Sequence, residues 1–372
     1  MVELNYRDNS RGDRDAQPGV IDDPGTVAEL EQTHRLLPSA QPGVITIAAA
    51  TDTDARPAAV FLNTALISRV GTSNQVSYLV LKDGEAWDPS TFTLGQLLDR
   101  IQIIVGTLEN GNLPQLGNDM KFQRELQLTT GDRVLFLEVV DGTIGDLAHQ
   151  KMNASIASLS AQISVLELRG TPSEAILLLE SPISDLQLQL SLQSAEPGLS
   201  GFLARQQSQA PLLDFTGLGD MIIDGNLQIA REASYDSVVG FYHVLDATGR
   251  VEDPLTGKLL QPGDTGYQEA ALHQNNLFSP LGGLAVGNRG LSSRELSFTS
   301  DSILAPFAVV SSGSVSNTYF AYDRANPDHI QHFQMLGDNT FGLEDLYGGG
   351  DRDFDDLIVT FRPTGVIPPA AA

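Results

Sequence analysis

The segment EDLYGGGDRDFDDLIVTF, Glu344 to Phe361, decides the reading of this chain. Six acidic residues fall within thirteen positions, from Glu344 to Asp356, and Arg352 is the one base among them. Gly348, Gly349 and Gly350 precede the densest part. The branched run Leu357–Phe361 follows at once and reads as a core strand. Carboxylates crowded beside a core repel one another unless something cationic offsets them.

Asp351, Asp353 and Asp355 stand at i, i+2 and i+4, as at the opening of a calcium loop, where alternate carboxylates converge on one hard cation. An EF-hand needs Gly at the sixth position and Glu at the twelfth. Here those places hold Asp356 and Arg362, so the segment is not an EF-hand. The glycines permit backbone conformations closed to other residues, and with them a tight loop that turns carbonyls inward. Hard oxygen ligands without His or Cys favour Ca²⁺ over zinc or copper. Mg²⁺ fits less well because it sheds its water reluctantly. The competing reading is a solvated acidic turn ahead of a strand.

The rest of the composition agrees with a cation partner. The 372 residues carry 47 Asp and Glu against 22 Lys and Arg, a formal charge of -25. That balance argues against binding nucleic acid or an anionic membrane surface by charge. Hydrophobic residues make up 41%, enough for a sizeable core in two ordinary domains or one large one. There are no cysteines, which excludes disulfides, thiolate metal sites and cysteine nucleophiles. The start, MVELNYRDNSRGDRDAQPG, has no apolar run and does not read as a Sec signal. No apolar run is long enough to span a membrane as a helix.

Residues 1–43 read as an extended polar arm, with a short helix expected at TVAELEQTHRLL (26–37). From Val44 on, short branched runs bounded by turn formers predict strands: VITIAAA, VSYLVL, DRVLFLEVV, ISVLEL and AILLLE. DLQLQLSLQ (185–193) alternates, with Leu186, Leu188, Leu190 and Leu192 on one face, the pattern of a half-buried strand. FTLGQLLDRIQ (92–102) predicts a helix. The second half repeats the rhythm in MIIDGNLQIA, SVVGFYHVL, SILAPFAVV, TYFAYD, HIQHFQML and LIVTF, with a short helix in PGDTGYQEAALHQ (262–274).

The fold class expected is all-β, two β-sandwich or jelly-roll-like units with minor helices. The boundaries are an N-terminal β domain over 44–196, a linker over 197–219, a C-terminal β domain over 220–363 and a tail over 364–372. RELQLTTGDRVLFLEVVDG from Arg124 and RELSFTSDSILAPFAVVSSG from Arg294 suggest a divergent internal repeat. GGGDRDFDD has no counterpart in the first half, so any site is confined to the second.

EDLYGGGDRDFDDLIV resembles the signature that closes the bacterial Domain of Unknown Function 4114 family, and related Gly-Asp endings of exported PEP-CTERM-type proteins. Upstream, REASYDSVVGFYHVLDATGRV (231–251), PGDTGYQEAAL (262–272) and YFAYDRANPDHIQHFQML (319–336) look like further landmarks. The resemblance covers about 225–363. It implies a β-rich domain of secreted or cell-surface bacterial proteins, with calcium binding and no catalytic activity. This chain has Asp355-Asp356 where Asn-Asp is common. Carried onto this sequence, the motif implies Asp351, Asp353 and Asp356 as direct ligands. Glu344 and Asp345 follow, folded back by the Gly-rich loop. Asp355 is an outer or alternate ligand, and Asp338 and Asn339 are placed nearby.

Other constellations are bland. His329 and His332 are spaced by three, which does not put both on one face of a strand, and read as satisfied residues and not a metal pair. There is no GxSxG elbow, P-loop or strand-borne GxGxxG. Two carboxylates could serve as glycosidase acid and base, yet here the pairs sit in one loop without an aromatic cleft. The expected function is therefore a non-catalytic, calcium-stabilised structural or assembly module, extracellular or on the cell surface. Its expected partners are itself or other surface components. A glycan or surface-ligand adhesion module is the alternative, and a hydrolase ranks below both. The default expectation for the arm is a disordered tail; the competing one is that it acts between molecules, adding a strand to a neighbour's sheet edge with a docking piece in PGVITIAAA (42–50).

Overall fold

The computed structural model describes residues 34–39, 41, 43–49, 58–66, 72–108, 121–128, 131–169, 176–192 and 210–368. They belong to two compact units, one over 1–112 and 119–205, the other over 113–118 and 206–372. Strand dominates both, with a few short helices, as the alternating and branched runs predict.

The first unit contains β1 (His34–Pro38), β2 (Val44–Ala49), β3 (Ala58–Leu66), β4 (Gln75–Leu81), β5 (Gln102–Gly106) and β6 (Lys121–Leu128). It continues with β7 (Arg133–Val139), β8 (Ile163–Val165), β9 (Glu167–Leu168), β10 (Ile176–Glu180) and β11 (Gln187–Leu192). One sheet runs β1-β2-β7-β4-β5, with β8 also on β7; the other runs β6-β3-β11-β10-β9. One core cluster draws on both sheets: Val76, Tyr78, Val134 and Phe136 from the first, Leu177, Leu179, Leu188 and Leu190 from the second. Leu186, Leu188 and Leu190 are fully buried, as the alternation in DLQLQLSLQ requires. Leu79, Leu135, Leu137 and Val139 face the other way, onto the short helices α1 (Leu94–Leu98) and α2 (Ile144–Lys151). Thr93 with Gln96, and Thr143 with Asp146, form capping boxes that start these helices.

The second unit contains β12 (Leu213–Asp214), β13 (Ile222–Arg231), β14 (Asp236–Val244), β15 (Val251–Glu252), β16 (Leu259–Leu260) and β17 (Gly290–Thr299). Then come β18 (Ile303–Ser312), β19 (Val315–Phe320), β20 (Phe333–Gly337), β21 (Thr340–Leu343) and β22 (Leu357–Ile367). One sheet runs β12-β18-β14 with β19 also on β18, the other runs β17-β13-β22-β21-β20, and β15 pairs β16. Helix α3 (Tyr267–Ala271) packs with Tyr242, Phe320 and Ala305 in one cluster. Phe215 meets Phe298 and Phe361 edge-on, and Phe241 meets Phe341. None of the sheets closes on itself among the described residues.

Several boundaries differ from the sequence reading. Residues 34–37, expected in a helix, are in strand β1, paired to β2 with His34 opposite Ala49; residues 26–33 lie outside the described residues. The docking piece at 42–50 is occupied within its own chain, because β2 pairs β1 on one side and β7 on the other. A branched run finds partners in its own sheet before it can serve a neighbour's. The end of the expected linker supplies β12, and Phe215 is fully buried. Part of the expected tail belongs to β22, where Val366 pairs Ile223 and Ile367 pairs Ile222.

A candidate cation centre between β21 and β22

β21 and β22 are antiparallel neighbours whose last pair is Leu343 with Leu357. The thirteen residues 344–356 connect them. The chain leaves the sheet at Glu344 and returns at Asp356, so the two carboxylates start from adjacent strand ends. Between them Gly348, Gly349 and Gly350 all take positive φ, and so do Arg352 (φ 59) and Phe354 (φ 55). Left-handed backbone at two non-glycine residues is costly and persists only where surroundings impose it. Phe354 is fully buried and anchors the loop. A Cβ at Gly342 would strike the Phe354 carbonyl oxygen, so the strand must be bare there.

The outcome is a convergence of Glu344, Asp353 and Asp356, each offering a carboxylate oxygen within 4.8 Å of the others. Glu344 is fully buried. Its Oε2 accepts from Arg352 N at 2.8 Å and its Oε1 from Leu346 N at 3.1 Å. Asp356 Oδ2 accepts from Asp345 N at 2.7 Å, and Asp353 Oδ1 from Asp355 N at 3.3 Å. Backbone donors thus fix the direction of each carboxylate.

Electrostatics mark the same place. Burial pushes Glu344 up to about 7, with the charges of Asp351 and Asp353 adding to it. Burial is also the main cause that raises Asp356 to about 9, and Asp345 and Glu344 add to it. Asp355 rises to about 8 through burial and the adjacent Asp353, and Asp353 itself is raised by burial. Asp345 rises to about 6 by burial, with the Arg231 charge acting against the shift. Arg231 is itself buried at the end of β13 and donates to Val286 O at 3.1 Å. Burial and like-charge repulsion thus act together on the carboxylates of this one loop.

Of the six carboxylates singled out from the sequence, three meet. Asp355 lies against Asp353, and Asp345 contributes its backbone N–H to Asp356. Asp351 is exposed and outside the trio. Asp338 and Asn339 occupy the turn between β20 and β21, at the end of β21 away from Glu344, which removes them from the site. Sequence reading missed Glu232, whose charge acts on Asp353 and Asp355 and whose N–H donates to Asp356 O at 3.2 Å. It also missed the support beneath the loop. His332 is fully buried, stacks on Tyr319 at 3.6 Å and faces Asp328 with Nε2 at 3.0 Å. Asp328 Oδ2 also accepts from Gly348 N at 2.8 Å. The DHIQH spacing carried no such signal, because both contacts arise from the chain turning back on itself.

Residues 298–364 match the family model described as Domain of unknown function (DUF4114). A DUF4114-family domain is present over those residues. The DUF4114 match takes in β18 to β21, most of β22 and the carboxylate trio, and starts well after the 225 drawn from sequence landmarks. No curated protein and no solved structure matches the chain.

The donor set fits a hard divalent cation: three carboxylates, no nitrogen and no sulfur. The cradle fits too, since a Cβ at Gly350 would collide with Glu344 Oε1.

Proposed function

We propose that the second unit is a non-catalytic, calcium-stabilised structural module of an exported or surface protein. The observation that carries this reading is the convergence of Glu344, Asp353 and Asp356 at the joint between two neighbouring strands. A cation there would tie the loop to β22 and offset the repulsion that raises these carboxylates. Ca²⁺ suits the site better than Mg²⁺, because three carboxylates in an irregular loop fit a flexible, high-coordination ion. The DUF4114 match supports the surface setting. With no cysteine in the chain, an ion would serve as the cross-link that a disulfide provides elsewhere. Each unit is read as two facing sheets in a sandwich, and the shared strand order supports divergent duplication.

Thermal melting with millimolar Ca²⁺, with Mg²⁺ and with chelator tests the reading. A ligand that binds only the folded state adds about 2.7 kcal/mol at a hundred times its dissociation constant. Ca²⁺ should raise the melting temperature of metal-stripped protein more than Mg²⁺ does. Superimposable curves, with no metal on the purified protein, would refute it.

A further inference from the structure

The two units share more than strand content. In the first, β6-β3-β11-β10-β9 form one sheet; in the second, β17-β13-β22-β21-β20 do. Taken in chain order, each strand of one list has its counterpart at the same place in the other. The other large sheets agree around one strand, although among the described residues β1 and β5 have no counterpart in the second unit and the β15-β16 pair has none in the first. β7 has β4 on one side and β2 and β8 on the other, while β18 has β14 on one side and β12 and β19 on the other. Chance agreement over both sheets is hard to reconcile with so many permitted orders.

This correspondence identifies the place in the first unit that matches the cation loop. It is the connection between β10 and β11, whose last pair is Glu180 with Gln187. There the chain needs only residues 181–186, SPISDL, in place of thirteen. Ser181 stands where Glu344 stands, and the buried Leu186 where Asp356 does. The turn closes on itself. Ser181 N donates to Leu186 O at 2.9 Å, and Ser181 Oγ accepts from Ile183 N and Ser184 N at 3.1 Å each. Ser184 Oγ then donates to Glu138 Oε1 at 2.6 Å. Glu138 is fully buried on β7, in the opposite sheet, and the same oxygen accepts from Asn74 Nδ2 at 2.6 Å. One carboxylate thus pins the turn of one sheet to the other sheet, using neutral donors alone.

Building on the cation reading of the second unit, we infer that the first unit is a cation-independent copy of the same fold. The Ser184–Glu138 hydrogen bond holds its β10–β11 turn where a bound cation holds the β21–β22 loop. Cation removal therefore loosens β20–β22 and leaves β9–β11 closed.

Hydrogen exchange on the full chain, read peptide by peptide with Ca²⁺ and with chelator, tests this, since local opening is reported segment by segment. Chelation should speed exchange at least tenfold over 333–361 and change 176–192 less than twofold. Ser184→Ala should speed 176–192 several-fold at either calcium level and leave 333–361 as it was. Equal loosening of both segments on chelation would overturn the inference, as would an unchanged 176–192 in Ser184→Ala. No response to chelation in either segment would overturn the cation reading itself, and with it the contrast between the units.

Discussion

His332 Nδ1 lies 2.6 Å from the carbonyl oxygen of Glu344, and Glu344 N returns the contact by donating to His332 O at 2.9 Å. The residue that leads the carboxylate trio is therefore clamped by its backbone before any ion arrives. Asp328 completes the clamp, since its carboxylate meets His332 Nε2 and also accepts from Gly348 N. Preorganisation of this kind lowers the ordering cost of binding. Asp328→Ala should weaken Ca²⁺ about tenfold, or ~1.4 kcal/mol, without removing any ligand. Titration calorimetry on both proteins measures it. Unchanged affinity would reduce the clamp to packing.

Gly350 is the second point of preorganisation. Its φ is +42 and a Cβ there would meet Glu344 Oε1 and Leu346. Gly350→Ala should displace Glu344 and cost about 1–3 kcal/mol of stability from backbone strain. Gly348→Ala provides a comparison, because its φ is also positive, at +84, but nothing lies within 4 Å of its Cβ. Calcium affinity should fall more in Gly350→Ala than in Gly348→Ala. Equal losses would mean that strain alone, and not the contact with Glu344, matters.

The raised carboxylates fix a pH dependence. Glu344, Asp345, Asp355 and Asp356 have folded-state values of about 7, 6, 8 and 9, above their unfolded values. Between those limits the folded, metal-free protein holds more protons than the unfolded chain. Stability is then highest in mild acid and falls as pH rises through about 6 to 9. A cation competes with the same protons, so the Ca²⁺ increment should grow from pH 5 to pH 8. Melting curves in chelator and in Ca²⁺ at about three pH values across this range give both trends. A chelated protein that grows more stable over that span would contradict them.

Much of this was legible in the sequence, for identifiable reasons. Leu186, Leu188 and Leu190 announced a strand because period-two burial leaves a period-two pattern. Asp353 and Asp356 stood out as candidate ligands because carboxylates rarely crowd beside a core run, and they do converge with Glu344. Glu344 was legible only as a second choice, since its role depends on how far the Gly-rich loop folds back. Asp338 was misplaced because closeness in sequence says nothing about the direction of a hairpin, and β21 carries Glu344 to its far end. Asp328, His332 and Glu232 left no local trace, because each reaches the site from a separate segment.

The ligand ranking is open to direct comparison. Asp353→Ala removes a member of the trio, whereas Asp338→Ala alters a turn roughly four strand residues away, about 13 Å at the usual rise. Asp353→Ala should abolish most of the calcium-dependent rise in melting temperature, and Asp338→Ala should keep it. Equal loss would place the ion elsewhere.

The N-terminal segment yields the last prediction. Among the described residues β1 pairs with β2 alone and lies at the edge of its sheet, covering residues 45–49 of a branched run. Deleting through residue 33 leaves that cover in place, while deleting through residue 43 removes it. The second deletion exposes the N–H and C=O groups of ITIAA, an apolar, uncharged edge of the kind that templates association. Five cross-strand pairs are lost with it, on the order of 1–3 kcal/mol if each contributes about 0.2–1. The chain beginning at 44 should therefore melt lower than the chain beginning at 34 and gain mass with concentration in light scattering. Calcium should not reverse either change, because the stripped edge belongs to the unit without the carboxylate trio. Identical masses and melting temperatures for the two deletions would show that β1 is dispensable cover, and that β2 is protected by its pairing with β7 alone.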